Sequence, residues 1–171
     1  ELKKIGVVGC GLMGHGIVQV AAQAGFEVVA VEMQQDALDK GLARIEKSLA
    51  KLAAKSVERG KATAEDAEAN RAAAWDRITG TTDKADLADC DLVVEAIIED
   101  LDIKKSLFQE LGELCKPETI LSSNTSSFPV IEMAEASGRP ERFVGLHFFN
   151  PVQLMRLVEV VRTDKTLSLI H

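Results

Sequence analysis

The stretch KIGVVGCGLMG, residues 4–14, decides the fold of this chain. A short apolar run leads directly into three glycines, Gly9, Gly11 and Gly14, which have the spacing GxGxxG. An apolar run of this length that ends at glycines is typical of a buried strand in a parallel sheet. The pattern therefore predicts a strand, a tight turn and the beginning of a helix.

Each glycine of the turn has a predicted physical task. Gly9 permits the tight turn, Gly11 lets a pyrophosphate approach the backbone, and Gly14 lets the helix pack closely on the strand. Leu12 and Met13 complete the loop, and the amino end of the helix faces the phosphate charge. Because the motif lies between a strand and a helix, we predict that it binds a dinucleotide cofactor.

The end of the second predicted strand, EVVAVE at residues 27–32, indicates which dinucleotide is bound. The carboxylate of Glu32 can accept hydrogen bonds from ribose hydroxyls and would repel a 2′-phosphate. The residues that follow, MQQ, include no Arg or Lys to receive such a phosphate. We therefore predict NAD, rather than NADP, as the cofactor.

Apolar runs alternate with helical patterns along the rest of the chain. Further strands are predicted at 91–96, 119–123, 143–149 and 156–161, and helices at about 102–115 and 129–137. This alternation predicts an α/β fold with a doubly wound, mostly parallel sheet of the Rossmann type. A helical pair at about 36–76, made of a long helix at 36–59 and a second helix at about 63–76, is inserted after the second strand.

Composition excludes several classes of protein. The chain has 171 residues, which suits one domain at about 100 to 200 residues per domain. A net charge of -7 argues against nucleic-acid binding. No apolar run reaches the roughly 18 residues of a membrane span, and the amino end does not resemble a signal peptide.

Cysteines and histidines provide no metal-binding pattern. The cysteines lack a CxxC pair, which suits a reducing compartment, and the histidines lack metal-ligand spacing. We therefore predict no metal site. The residues concerned are Cys10, Cys90, Cys115, His15, His147 and His171.

A basic stripe runs along the long helix of the insertion. Its cations recur every three or four residues, opposite an apolar face. The stripe is either a phosphate-binding surface or an ordinary solvated helix face. Its members are Lys40, Arg44, Lys47, Lys51 and Lys55.

Polar residues follow the strand TILSS, where Asn124, Thr125, Ser126 and Ser127 stand together. Substrate binds outside the carboxyl ends of the strands in an open α/β sheet. These side chains could therefore donate hydrogen bonds to a substrate. Alternatively, one of them caps the helix that begins near Pro129.

The stretch GLHFFNPVQLMRLVEVV, residues 145–161, carries one histidine and one carboxylate among apolar residues. A histidine in such company is often an ordinary core residue. Glu159, however, shares a strand face with Leu157 and Val161, where burial of an unpaired carboxylate would be costly. It needs a partner, and His147 would suit it, because a carboxylate on one ring nitrogen prepares the other as a general base.

Five motifs in this order, GCGLMG, DLVVEAIIEDLDIK, SNTSS, GLHFFNP and LVEVV, resemble the (S)-3-hydroxyacyl-CoA dehydrogenase family along essentially the whole chain. The resemblance implies oxidation of the 3-hydroxyl of an acyl-CoA with NAD in fatty-acid metabolism, including β-oxidation. It implies that His147 is the general base and that Glu159 orients it. Ser126 then contacts the substrate beside the cofactor, and Asn150 lines the site.

The resemblance also implies further binding residues. Glu99 and Lys104 match cofactor-contacting positions, while Ser48 and Lys55, in the helical insertion, match positions that contact coenzyme A. Glu32 departs from the family, in which Asp is usual, but its longer side chain can still reach a ribose.

The family continues into an all-helical carboxyl-terminal domain that supplies most of a dimer interface. Residues 1–171 are therefore expected to be the NAD-binding domain of a longer enzyme. Without the helical domain, this part of the enzyme is expected to catalyse poorly. The full-length enzyme is expected to be a homodimer that binds acyl-CoA, and neither nucleic acid nor membrane. Its expected location is the bacterial cytoplasm, or the mitochondrial matrix in a eukaryote.

Two other functions stay open from the sequence. The chain could be a non-catalytic NAD-binding relative, as the λ-crystallins are in this family. It could also belong to a dehydrogenase of free 3-hydroxy acids, although such enzymes generally use a catalytic lysine, and none accompanies His147 in HFFNP.

Overall fold

The computed structural model describes residues 2–167, so His171 lies outside the described residues. Strands and helices alternate in it as the sequence predicts. The strands are β1 (Lys4–Val8), β2 (Glu27–Val31), β3 (Ile78–Thr81), β4 (Leu92–Glu95), β5 (Ile120–Ser123), β6 (Phe143–Phe148) and β7 (Val158–Val161). The helices are α1 (Gly14–Gln23), α2 (Gln35–Glu58), α3 (Ala64–Trp75), α4 (Leu101–Leu114) and α5 (Val130–Ala136).

The seven strands form one sheet in the order β3-β2-β1-β4-β5-β6-β7. All neighbours are parallel except β6 and β7, which are antiparallel. The order reverses between β1 and β4, and a crevice for ligands opens at such a point outside the carboxyl ends of the strands. The predicted Rossmann-type fold is confirmed, and its switch point lies beside the glycine loop.

The sheet is covered on both faces, because successive strand residues point to opposite sides. On one face, Val7 packs with Ile17 of α1 and Ile45 of α2. On the other face, Val93 packs with Phe108 of α4. The two clusters hold the carboxyl ends of the central strands in fixed positions.

The helical pair predicted after the second strand is present as α2 and α3. Leu38, Ile45 and Leu49 face the core from α2, and the five cations of the basic stripe are exposed on its other side. A Cβ built on Gly41 would lie 2.4 Å from Sγ of Cys10, so the absence of a side chain there lets α2 pack against the glycine loop.

β3 is a strand that the apolar pattern of the sequence did not predict. This strand, ITGT, is a half-exposed edge strand with one large apolar residue, Ile78, and it pairs with β2. A strand so short and so polar produces no apolar run in the sequence. No helix within residues 2–167 has the length and apolar character that a membrane crossing would need.

Candidate active site

The glycine loop has the geometry that its spacing predicts. Gly9 has a φ of 95°, and a Cβ on it would lie 2.6 Å from the carbonyl oxygen of Ala96. A Cβ on Gly14 would lie 1.7 Å from the carbonyl oxygen of Gly9, so only glycine lets α1 begin so close to β1.

The middle glycine faces open space, because a Cβ on Gly11 would have no neighbour within 4 Å. Met13, the N-cap residue of α1, makes no capping hydrogen bond with its side chain. Its side chain therefore does not compete with an anion for the N–H groups at this end of the helix. The loop thus fits a dinucleotide pyrophosphate, which would approach at Gly11.

Glu32 lies just after β2 and is bonded to the glycine loop. Its Oε2 accepts a hydrogen bond from the backbone N–H of Cys10 at 2.9 Å, and its Oε1 accepts one from the N–H of Met33 at 3.0 Å. The carboxylate is half-buried, so lone pairs remain for a ligand at the rim. Its contact with an adenine ribose stays a prediction.

His147 and Glu159 are direct partners across the antiparallel pair of β6 and β7. Directly opposite residues present their side chains on the same face of a sheet. Nδ1 of His147 lies 2.9 Å from Oε2 of Glu159, so the predicted contact is present. Glu159 can accept a hydrogen bond from Nδ1 when that nitrogen carries the ring proton. In this tautomer, Nε2 has no proton and can accept one from a substrate.

The predicted burial of Glu159 is wrong. Its side chain is 54% exposed, and all four residues of β7 are exposed, as is Leu157 just before it. β7 is the last strand of the sheet, and no described element covers it. The register of β6 and β7, rather than the cost of burial, brings the two side chains together.

One cavity of about 570 Å³ unites much of the predicted site at the carboxyl end of the sheet. It extends from the glycine loop to the end of β6. The predicted site residues that line it are Gly11, Leu12, Met13, Glu99, Lys104, Ser126, His147 and Asn150. A cofactor bound along the loop would therefore end beside the histidine.

Asn124 organises the strand ends, a role that the sequence analysis did not assign. Its backbone N–H donates to the carbonyl of Glu95 at 2.9 Å, and its Oδ1 accepts from the N–H of Phe148 at 2.8 Å. It thereby fixes the end of β6 beside His147. Polar residues that bond to neighbouring strands have no distinctive spacing in the sequence, so only the fold reveals them.

The alternative of a helix cap among these residues is wrong. Pro129 is the N-cap residue of α5, and none of the side chains of Asn124, Thr125, Ser126 and Ser127 caps that helix. Thr125 instead accepts from the N–H groups of Ser127 and Phe128, at 3.3 and 3.2 Å, and so closes a turn. This turn leaves Ser126 exposed and facing the cavity.

Glu95 is the carboxylate that the sequence analysis missed. It lies at the end of β4 and is fully buried, with its Oε1 2.6 Å from Nζ of Lys104. Lys104 is also 3.1 Å from Oε2 of Glu99, so the lysine joins two carboxylates. A polar residue inside the apolar run DLVVEA was the available signal.

Ser48 and Lys55 lie apart from this cavity, on α2. Ser48 is half-buried and Lys55 is exposed, and neither lines the cavity. Their contact with coenzyme A stays a prediction.

Cys10, inside the glycine loop, is no candidate nucleophile. Burial raises the pKa of its thiol to about 11, with a further contribution from the charge of Glu32. Within residues 2–167, no three His, Cys, Asp or Glu side chains are arranged to hold a metal ion.

A glycine loop at the switch point of a parallel sheet, facing a histidine–carboxylate pair across one cavity, defines a Rossmann-type cofactor domain of a dehydrogenase. The particular family follows from its sequence. Residues 4–170 match the family described as "3-hydroxyacyl-CoA dehydrogenase, NAD binding domain", and the chain belongs to that family. The predicted family, fold and cofactor, NAD, are confirmed.

Individual relatives agree with this assignment. A probable 3-hydroxybutyryl-CoA dehydrogenase of Deinococcus radiodurans is 55% identical over 163 residues, which are 95% of this chain and 55% of that protein. The mitochondrial hydroxyacyl-coenzyme A dehydrogenase of Sus scrofa is 47% identical over 167 residues, or 96% of this chain and 52% of that protein.

A solved structure shows the same architecture. The crystal structure of 3-hydroxybutyryl-CoA dehydrogenase from Escherichia coli K12 aligns with a TM-score of 0.89 and 39% identity, covering 99% of this chain and 34% of that one. The chain thus spans about half the length of the curated relatives it matches and about a third of this solved chain.

Proposed function

We propose that this chain is the cofactor-binding part of a longer enzyme that oxidises (S)-3-hydroxyacyl-CoA to 3-oxoacyl-CoA with NAD. The observation that carries the proposal is the 2.9 Å contact between His147 and Glu159 at the edge of the cavity that begins at the glycine loop. The names of the relatives support the substrate class.

The proposed reaction removes a hydride and a proton from one carbinol group. When bound, NAD would supply the acceptor for the hydride that leaves the substrate carbon. Nε2 of His147 takes the proton of the 3-hydroxyl, and the electron pair of that O–H bond forms the new carbonyl. Glu159 orients the imidazole and stabilises the imidazolium that results, because a carboxylate beside Nδ1 favours the charged ring.

Other residues hold the substrate in this proposal. Ser126 and Asn150 line the same cavity as the histidine and can donate hydrogen bonds to the reacting oxygen. On α2, Ser48 and Lys55 contact coenzyme A, for whose phosphates an exposed lysine is suited. Glu99 and Lys104 contact the cofactor in this proposal.

We further propose that a helical domain of the longer protein packs on the β7 edge and forms most of a homodimer interface. An exposed apolar surface supports this proposal, since monomers rarely leave such patches uncovered. The exposed apolar side chains on β7 and just before it are Leu154, Met155, Leu157, Val158, Val160 and Val161. With bacterial and mitochondrial relatives, the proposed location is the bacterial cytoplasm or the mitochondrial matrix.

The test is turnover by the full-length protein. Acetoacetyl-CoA-dependent oxidation of NADH should fall about 100- to 10,000-fold in His147→Gln, which keeps the size of the side chain but removes the general base. NADH affinity and thermal unfolding, measured on the same variant, should stay close to wild type.

Free acetoacetate serves as the control substrate. An enzyme of free 3-hydroxy acids would reduce it as fast as the thioester, and a non-catalytic NAD-binding protein would reduce neither. Either result, or unchanged turnover in His147→Gln, would contradict the proposal.

A further inference from the structure

Glu95 is the most completely enclosed charged group of the site, since its side chain is 0% exposed. Its Oε1 accepts hydrogen bonds from Nζ of Lys104 at 2.6 Å and from the N–H of Ile97 at 2.8 Å. Its Oε2 accepts one from Oγ of Ser123 at 2.6 Å. Three donors thus hold this carboxylate in one orientation.

Lys104 connects Glu95 to a second carboxylate at the rim of the cavity. Glu99 Oε2 lies 3.1 Å from Nζ of Lys104, and Oε1 accepts from the hydroxyl of Thr125. Glu99 is 43% exposed, whereas Lys104 is only 1% exposed. We call Glu95, Lys104 and Glu99 the acidic triad, because two carboxylates share one ammonium and leave a net charge of about -1.

Stability alone does not account for charges at this position. Replacing a buried ion pair by apolar residues of similar volume is often neutral or stabilising. Two members of the acidic triad, Glu99 and Lys104, line the same cavity as His147 and Ser126. The charge of the triad therefore acts on whatever occupies that cavity.

The oxidised and reduced forms of the cofactor differ by one positive charge, which lies on the nicotinamide ring of NAD⁺. That ring must lie beside His147 for hydride transfer, in the cavity that Glu99 and Lys104 of the acidic triad also line. A fixed negative charge there stabilises the cationic ring and has no such effect on the neutral ring of NADH.

We propose that the acidic triad sets the relative affinity of this site for NAD⁺ and NADH, with Glu95 as a positioning residue that supplies charge without touching the cofactor. The inference rests on the proposed function, because it places the nicotinamide beside His147. Unit charges about 10 Å apart, at an effective dielectric constant of about 20, change an equilibrium roughly tenfold.

The experiment measures both dissociation constants on the full-length protein, NADH by its fluorescence and NAD⁺ by displacement of NADH. In Glu95→Gln, the acidic triad loses its net negative charge. The ratio Kd(NAD⁺)/Kd(NADH) should rise about tenfold, which is about 30 mV in the potential of the bound couple. Glu99→Gln, made at the exposed rim, should change the ratio in the same direction.

A charge-matched double variant separates charge from structure. Glu95→Gln with Lys104→Met restores a net charge of about -1, so the ratio should return toward the wild-type value. Glu118→Gln removes an exposed carboxylate at the opposite end of the sheet and should leave the ratio unchanged.

The outcomes distinguish this inference from the function on which it rests. If both cofactors bind and the ratio stays constant in Glu95→Gln and Glu99→Gln, the acidic triad does not tune the cofactor. A ratio that rises but stays raised in the double variant would also overturn the inference. If Glu95→Gln does not fold, the ratios of Glu99→Gln and of the double variant decide whether the inference holds. If the wild-type protein does not bind NAD, the proposed function itself is refuted.

Discussion

Two acid–base pairs lie at the carboxyl end of the same sheet, in opposite environments. Glu95 and Lys104 are 0% and 1% exposed and join β4 to α4 inside the core. Glu159 and His147 are 54% and 23% exposed and join the edge strand β7 to β6. The heavy-atom distances are similar, 2.6 and 2.9 Å, but the environments differ.

The cost of burying a carboxylate explains the pairing of Glu95 with Lys104, but not the pairing of Glu159 with His147. An unpaired carboxylate is costly to bury, and that reasoning applies to Glu95, although the sequence suggested it for Glu159. Period-two alternation shows which residues share a face, but not whether that face is covered. Breaking the buried pair should therefore lower stability, whereas breaking the exposed pair should lower turnover with little change in stability.

The largest expected effect comes from breaking the buried pair. Lys104→Met leaves Glu95 without its cation in a site that excludes water, so the free energy of unfolding should fall by about 3–5 kcal/mol. Urea denaturation of the full-length protein measures this change. The double variant Glu95→Gln with Lys104→Met should recover most of the loss. A fall below about 1 kcal/mol in Lys104→Met would remove the distinction between the pairs.

The matching change in the exposed pair should affect turnover rather than stability. Glu159→Gln removes the charge that stabilises the imidazolium, so kcat should fall roughly tenfold or more. The free energy of unfolding should change by less than about 1 kcal/mol, as for other exposed ion pairs. Steady-state kinetics and denaturation on one preparation test both statements. Lost stability with normal kcat would reverse the assignment of the two pairs.

A pair of intermediate exposure gives the smallest effect and a pH dependence. The ammonium of Lys116, at 2.6 Å, and the backbone N–H groups of Lys4 and Lys3 hold the pKa of the Asp91 carboxyl well below its usual range. A group whose pKa is lower in the folded state contributes stability above its unfolded pKa and loses it as pH falls.

Asp91→Asn should therefore lower the free energy of unfolding by about 1 kcal/mol at pH 7. The difference from wild type should shrink as pH falls below about 4, where the unfolded carboxyl takes up its proton. Thermal or urea unfolding of both proteins between about pH 2 and about pH 7 measures this difference. A difference that is independent of pH would mean that the lost contact is steric rather than ionic.

Much of the fold could be predicted because its signals are local. The glycines at Gly9, Gly11 and Gly14 fix a turn whose steric demands only glycine meets, and long apolar runs mark the buried strands. The edge strand β3 could not be predicted, since ITGT owes its conformation to pairing with β2 rather than to its own apolar content. Strand propensity is strongly dependent on such neighbours.

By itself, the sequence determined the Rossmann-type topology, the dinucleotide loop, the NAD preference and the candidates His147 and Glu159. Only the tertiary structure decided which carboxylate is buried, how Asn124 ties the strand ends together, and that Lys104 lies between Glu95 and Glu99. The physical reason is the distance along the chain over which each interaction acts. Turn sterics and periodicity act between near neighbours in the chain, whereas burial and charge depend on residues that only the folded sheet brings together.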